Sequence, residues 1–259
     1  MRATRMPLFT SEALILRTYK LGEADRIVVF LTADRGKRRG VAKGARRTKS
    51  RFGGALEPLT HAGVTYFEKE GRDLVSLNYA DAVRSPWAAA NLEVLGHIEY
   101  FAELIDEWAP EGDPNARLFR LGTSLVDALA RGVPVDPLAR YFEYWLLRLQ
   151  GVYPGYASCG VCGADLTSAE SAGACLDPAQ HAFTCLPCAR LPGGVRASSL
   201  SPDALAFLQR AGRTSPERVG DIRVATRSMR ELEAVHRTLI SWHLEREPKS
   251  ARVLRELRG

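Results

Sequence analysis

The sequence predicts an α+β protein, with an N-terminal OB-like β-barrel followed by an α-helical domain that carries a four-cysteine zinc module. Three observations lead there. Short β-forming runs punctuated by glycine fill the N-terminal part, apolar spacing of helical period begins after Ser85, and two C-x2-C pairs stand within the helical part. The expected boundaries are residues 1–82 for the barrel and 83–259 for the helical domain, with the zinc module inserted at 157–190.

The elements follow in order. Ala13 to Tyr19 mixes apolar and β-forming residues, and Arg26 to Thr32 (RIVVFLT) reads as a buried strand. Gly36, Gly40, Gly44, Gly53 and Gly54 punctuate the next stretch. Val64–Phe67 and Leu74–Tyr79 are two more strands, and Glu70-Gly71-Arg72-Asp73 between them reads as a hairpin turn. Four or five short strands in so few residues make a small barrel or sandwich. After Ser85 the period changes. Val94, Ile98, Phe101, Ile105 and Trp108 form one helical face, Leu118, Leu121, Leu125 and Leu129 a second, and Leu138, Phe142, Trp145 and Leu149 a third. Ser85-Pro86, Asp113-Pro114 and Asp136-Pro137 are the expected cap-and-proline starts. The three stripes should pack together as a scaffold, with acidic residues such as Glu103 on the outside. Residues 151–190 hold no Lys or Arg before Arg190 and are rich in Gly, Pro and Cys, which predicts a loop-built module. Helices resume after Ser201-Pro202. A longer one is expected from Ile222 to Glu245, with His236 and Trp242 in packing roles.

Composition bounds the function. With 46% hydrophobic and 25% charged residues the chain is an ordinary globular one. No stretch approaches the roughly 20 apolar residues of a membrane-spanning helix. Met1 to Thr10 has two arginines without an apolar run behind them, so no secretory signal is expected and the cytoplasm is the expected compartment. Charge is unevenly spread. Residues 1–51 hold 14 Lys/Arg against 4 Asp/Glu, residues 80–150 hold 6 against 11, and residues 190–259 hold 14 against 8. Basic ends around an acidic middle point to a polyanion partner.

Two motifs carry chemistry. Cys159-Gly-Val-Cys162 and Cys185-Leu-Pro-Cys188 are paired knuckles of the kind that present four thiolates to zinc. A closed four-sulfur site leaves no open position for water, so the metal would be structural. Cys175 lacks an i+3 partner and is expected to be a free, buried thiol. His181 could replace a ligand, but no spacing favours it. The second motif is basic: Arg35, Lys37, Arg38, Arg39, Lys43, Arg46, Arg47, Lys49 and Arg51, with interleaved glycines and no acid. Phosphate binding needs positive side chains and backbone that can approach closely, and this stretch offers both. Tyr19, Phe52 and Tyr66 are the nearby candidates for base stacking, and each can equally be core. There is no G-x-x-x-x-G-K-[ST], no G-x-S-x-G and no H-x-E beside the cysteines, which excludes P-loop, nucleophile-elbow and zinc-deaminase readings. A zinc-containing nuclease and a zinc-containing RNA-binding protein stand as rival readings.

The run from Gly22 to Leu59 resembles the opening of the RecO family. That opening has T-x-x-x-G-K and then AKGARR-x-x-S, here Thr32 to Lys37, Ala42 to Arg47 and Ser50. A helical part and a cysteine module follow in the family's order. The resemblance implies a non-enzymatic recombination mediator of DNA repair, located at the nucleoid. Such a protein binds single- and double-stranded DNA, anneals strands, and acts with RecR to load RecA onto strands coated by single-strand-binding protein. It also implies bound zinc, because all four cysteines are present.

Overall fold

The computed structural model describes residues 7–69, 71–177, 180–189 and 198–258. Glu70 of the expected hairpin turn and Arg190 at the end of the expected module lie outside them. Five strands close into a barrel: β1 (Leu8–Leu21), β2 (Asp25–Thr32), β3 (Gly36–Ala42), β4 (His61–Phe67) and β5 (Leu74–Arg84), in the order β1-β2-β3-β5-β4. Closure comes from a parallel pairing of β3 with β5, in which Ala42 stands opposite Leu77. The other pairs are antiparallel. Alternate residues point inward, so Ala13, Ile15, Val28, Phe30, Val64, Tyr66, Val75 and Leu77 fill the interior. In β1 and β2 the intervening residues are buried too: Leu14, Leu16, Val29 and Leu31 lie on the outer face. Helices α1 (Leu92–Trp108) and α2 (Ala116–Ala130) pack against β1 and cover that face. A strand buried on both sides must be apolar throughout, which is why RIVVFLT shows no alternation.

Three of the nine cations of the basic stretch, Lys37, Arg38 and Arg39, lie on a barrel strand. β3 pairs with β2 along its length, from Arg26 opposite Ala42 to Thr32 opposite Gly36. Thr32 Oγ1 closes the connecting turn, donating to the Gly36 carbonyl at 2.9 Å and accepting from the Arg35 amide at 2.9 Å. Gly36 has φ +67°, and a Cβ there would stand 2.2 Å from the Asp113 carbonyl oxygen, so only glycine fits.

By its contacts the chain forms two compact units, residues 1–132 with 248–259, and residues 133–247. The first holds the barrel, α1, α2 and the final helix α6 (Lys249–Arg258), which packs on α1. The second holds α3 (Val135–Leu149), α4 (Pro202–Ala211), α5 (Thr226–Leu244) and a small sheet of β6 (Ala174–Asp177), β7 (Ala182–Cys185) and β8 (Ser199–Leu200), in the order β7-β6-β8. α3 packs with α4 and α5. The three apolar stripes therefore serve two cores rather than one scaffold.

Two of the three expected helix starts move to asparagine. Asn91 Oδ1 accepts from the Val94 amide at 2.9 Å and Asn115 Oδ1 from the Leu118 amide at 3.0 Å. Ser85-Pro86 instead opens a 3-10 turn at Trp87–Ala89, Asp113-Pro114 precedes Asn115, and Asp136-Pro137 lies inside the first turn of α3. Proline is tolerated there because first-turn amides have no partner within the helix. Ser201 does cap α4, with Pro202 first in the helix. α5 begins at Thr226, four residues later than expected, and ends where Glu245 turns left-handed at φ +54°.

The acidic residues are not all outside. Glu103 is 6% exposed and accepts from the Lys249 and Ser250 amides at 3.2 and 2.8 Å, and from the Ser250 hydroxyl, so it caps α6. Glu143 is buried and meets Arg140 at 3.1 Å and His236 Nδ1 at 2.9 Å. The other His236 nitrogen, Nε2, lies 3.1 Å from the Tyr153 hydroxyl. Burial holds the His236 pKa below its ordinary value despite Glu143. The packing role expected for His236 is thus a buried polar network, and Trp242 lies on the same helix with its ring against His181.

Candidate nucleic-acid interface and metal centre

The nine cations of the basic stretch fall into two groups. Lys37, on β3, is buried; its Nζ donates to the Asp106 carbonyl at 2.7 Å and pairs with the Asp106 and Glu111 carboxylates at 3.2 and 3.7 Å. Arg39 pairs with Glu111 at 3.0 Å and Arg38 with Glu68 at 3.9 Å. The Arg35 guanidinium lies 3.8 Å from the centre of the Phe9 ring. These four spend their charge within the first unit, largely on carboxylates.

Lys43, Arg46, Arg47, Lys49 and Arg51 form the second group. They lie in the segment between β3 and the 3-10 turn Gly53–Leu56, they are exposed, and none makes an ion pair among the described residues. The segment is held in shape. Gly44, at φ +71°, donates its amide to Asp25 Oδ1 at 2.8 Å. The Arg46 amide donates to the Ala24 carbonyl at 2.9 Å, and its guanidinium to the Gly22 carbonyl at 2.9 Å. The Arg47 amide returns to the Gly44 carbonyl at 3.1 Å and the Ser50 amide to the Arg47 carbonyl at 3.0 Å. Phe52, 2% exposed, pins the far end in the barrel core, with Arg51 over its ring at 5.1 Å. Five cations on a braced backbone form a surface suited to a phosphate chain. The brace itself, Asp25 with the turn Gly22–Ala24, was not legible as functional; its one signal is an acid next to Arg26 in a basic region. Of the three aromatic candidates, Phe52 and Tyr66 are core, while Tyr19 is half exposed.

The cysteines converge. The sulfurs of Cys159, Cys162, Cys185 and Cys188 all lie within 4.8 Å of one another, and those of Cys162 and Cys185 are 3.7 Å apart. A tetrahedron with zinc–sulfur bonds of 2.3 Å has sulfurs separated by about 3.8 Å. The knuckles form because each chain turns back on its first cysteine: the Gly163 amide donates to the Cys159 carbonyl at 2.9 Å, and the Cys188 amide to the Cys185 carbonyl at 3.0 Å. The Cys185 amide donates to Cys159 Sγ at 3.2 Å. Burial works against ionisation of Cys159, but amides of Cys162, Cys185 and Val161 outweigh it and bring that thiol down to about 6. Hydrogen bonding to Cys185 and Cys162 pushes Cys188 up to about 12. Four thiols this close cannot all ionise without a cation between them, so the donor set can hold a metal and binding would release protons. Cys175 stands apart on β6, opposite Thr184, and is buried, with its thiol raised by that burial. His181 lies against Trp242, their ring centres 5.4 Å apart, and is not in the cluster.

Comparison with known proteins bears on the whole chain. The family model for the recombination protein O N terminal matches residues 6–86, and that for the recombination protein O C terminal matches residues 89–252. The chain is 42% identical over 160 residues to the DNA repair protein RecO of Koribacter versatilis, a match spanning 60% of this chain and 64% of that protein. It is 35% identical over 250 residues to the DNA repair protein RecO of Geobacter metallireducens, covering 95% of this chain and 97% of the relative. With that of Nocardioides sp. the identity is 34% over 256 residues, covering 94% and 97%. Barrel, helical part and cysteine cluster thus coincide with two family models that together span most of the sequence, and the chain belongs to the RecO family.

Proposed function

We propose that this chain is a non-enzymatic DNA-binding mediator of recombinational repair. It anneals complementary strands and, with RecR, loads RecA onto strands coated by single-strand-binding protein at the nucleoid. The observation that carries the reading is the braced segment with five unpaired cations. Lys43, Arg46, Arg47, Lys49 and Arg51 hold phosphates, whereas Arg35, Lys37, Arg38 and Arg39 mainly secure β3 and shape the surface. The metal is a structural zinc held by Cys159, Cys162, Cys185 and Cys188. Its four positions are filled by protein, so it stabilises the module and supplies no catalytic water.

Each phosphate neutralised releases condensed counterions, so single-strand affinity should fall by about 0.7 log units per log unit of salt per contact. Replacing Lys43, Arg46 and Arg47 by Ala should weaken binding to all sequences alike and flatten the salt slope by roughly two units. Fluorescence anisotropy at three salt concentrations reads this out. An unchanged slope would remove the DNA-binding role from the segment. An annealing assay with and without RecR tests the partnership.

A further inference from the structure

We propose that Tyr19 and Tyr79 form a stacking platform for unpaired nucleobases beside the basic segment, which makes this surface selective for single strands. The inference rests on the DNA-binding reading above and deepens it. Large exposed side chains scattered singly need no explanation. These two are 49% and 48% exposed, and the strand register brings them to the same end of the barrel. Tyr19 stands opposite Ile27 on β2, and Ile27 opposite Val41 on β3, so the three form one row on the outer face. On the other side of β3, Ala42 pairs with Leu77 of β5 in parallel. The chain therefore leaves β3 at Lys43 alongside Asn78 and Tyr79. It comes back through the 3-10 turn Gly53–Leu56, which packs on β5. One tyrosine thus lies on each side of the strand end from which five cations depart.

Neither ring packs on another aromatic ring among the described residues. Arg17, two residues before Tyr19 on β1, is fixed by Asp106 at 2.8 Å, so it stays with that carboxylate and leaves the phosphate contacts to the basic segment. Glu23 on the adjoining turn and Asp25, which accepts from the Gly44 amide, are outnumbered by the five positive charges. Stacked bases need an open π-face with phosphates close by, and every base has such a face, so the platform would be tolerant of sequence. A duplex keeps its base faces inside the stack and can offer only phosphates here.

The test uses the full chain with an oligothymidine, an abasic strand of equal length and a duplex, by anisotropy at fixed salt. Wild type should bind oligothymidine about tenfold more tightly than the abasic strand, given the usual strength of base–aromatic stacking. Tyr19→Ala and Tyr79→Ala should each reduce that preference, leaving abasic and duplex affinity and the salt slope unchanged. Tyr19→Phe should keep it. Both residues are exposed, and matched circular dichroism confirms that the variants fold. Equal wild-type affinity for the two strands would overturn the platform while leaving DNA binding by the cations intact. Alanine variants that keep the full base preference would overturn the assignment to these residues. Absence of binding to any of the three probes would overturn both readings.

Discussion

Glu103→Ala should detach the start of the last helix from the unit on which it packs. Glu103 is almost fully buried and receives two backbone amides and one hydroxyl from Lys249 and Ser250. It also lies 3.6 Å from Arg17, which keeps Asp106 at 2.8 Å and Glu107 at 3.6 Å if Glu103 is lost. Arg17 therefore remains paired, and the cost falls on α6. Loss of an ordinary helix cap costs about 0.5–2 kcal/mol, and hydrogen bonds to a charged group contribute about 1.5–3 kcal/mol each. The freed amides can reach water, so the expected total is about 2–4 kcal/mol. The substitution also has a signature in pH. Burial works against the Glu103 charge, but hydrogen bonds from Ser250 and Lys249 and the field of Arg17 outweigh it, so its pKa lies below the ordinary 4.5. A depressed folded pKa contributes stability that is fully present above the unfolded value and lost as pH falls through the folded one. Wild type should therefore lose this increment only below about pH 4.5, and Glu103→Gln should lack that dependence. Urea denaturation across pH, with hydrogen exchange at the Lys249 and Ser250 amides, measures both effects. If Glu103→Ala unfolds at the wild-type midpoint with those amides equally protected, the capping argument is wrong.

Other outcomes follow from the same geometry. Phe142, fully buried on α3, should cost about 3–5 kcal/mol when cut to Ala, and Trp145→Ala somewhat less because its side chain is only partly buried; chemical denaturation compares them. Glu143→Ala leaves Arg140 and His236 in a buried site without their carboxylate and should destabilise by about 3–5 kcal/mol in the same measurement. Metal analysis should find one zinc per chain. Cys159→Ser or Cys188→Ser should lose it and lower Tm, and Cys175→Ser should retain it; full retention in a Cys159/Cys185 double variant would show the ligand set to be wrong.

Where chemistry is local, the sequence was readable. The two C-x2-C knuckles needed only their spacing to predict that four sulfurs would meet, and β-forming runs punctuated by glycine placed four of the five barrel strands. What required the fold was long-range pairing. Nothing near Lys37 in sequence announces that Asp106 and Glu111 neutralise it, so a run of nine charges read as one surface when only five make no ion pair among the described residues and carry no guanidinium–ring contact outside their own segment. Glu103 and Glu143 fit the outer face of an isolated helix, and only the packing of α6, and of α5 with His236, takes them inside. Proline signals misplaced three helix starts because asparagines and a permissive first turn competed with them. Tyr66 and Tyr19 differ in which side of the barrel wall they occupy, which strand register decides, while Phe52 enters the core from the turn before Gly53–Leu56.

The packing of α6 on α1 also has a consequence for biosynthesis. As the chain emerges from the ribosome, the barrel strands and the first two helices appear early, yet the segment that completes their unit, residues 248–259, follows the whole of residues 133–247. The intervening unit is continuous in sequence and can assemble as soon as it is exposed. The earlier unit must wait, with Glu103 and the face of α1 that receives α6 open to solvent or to chaperones, until its last helix arrives. Translation order and folding order are therefore inverted in this molecule: the unit begun first is finished last.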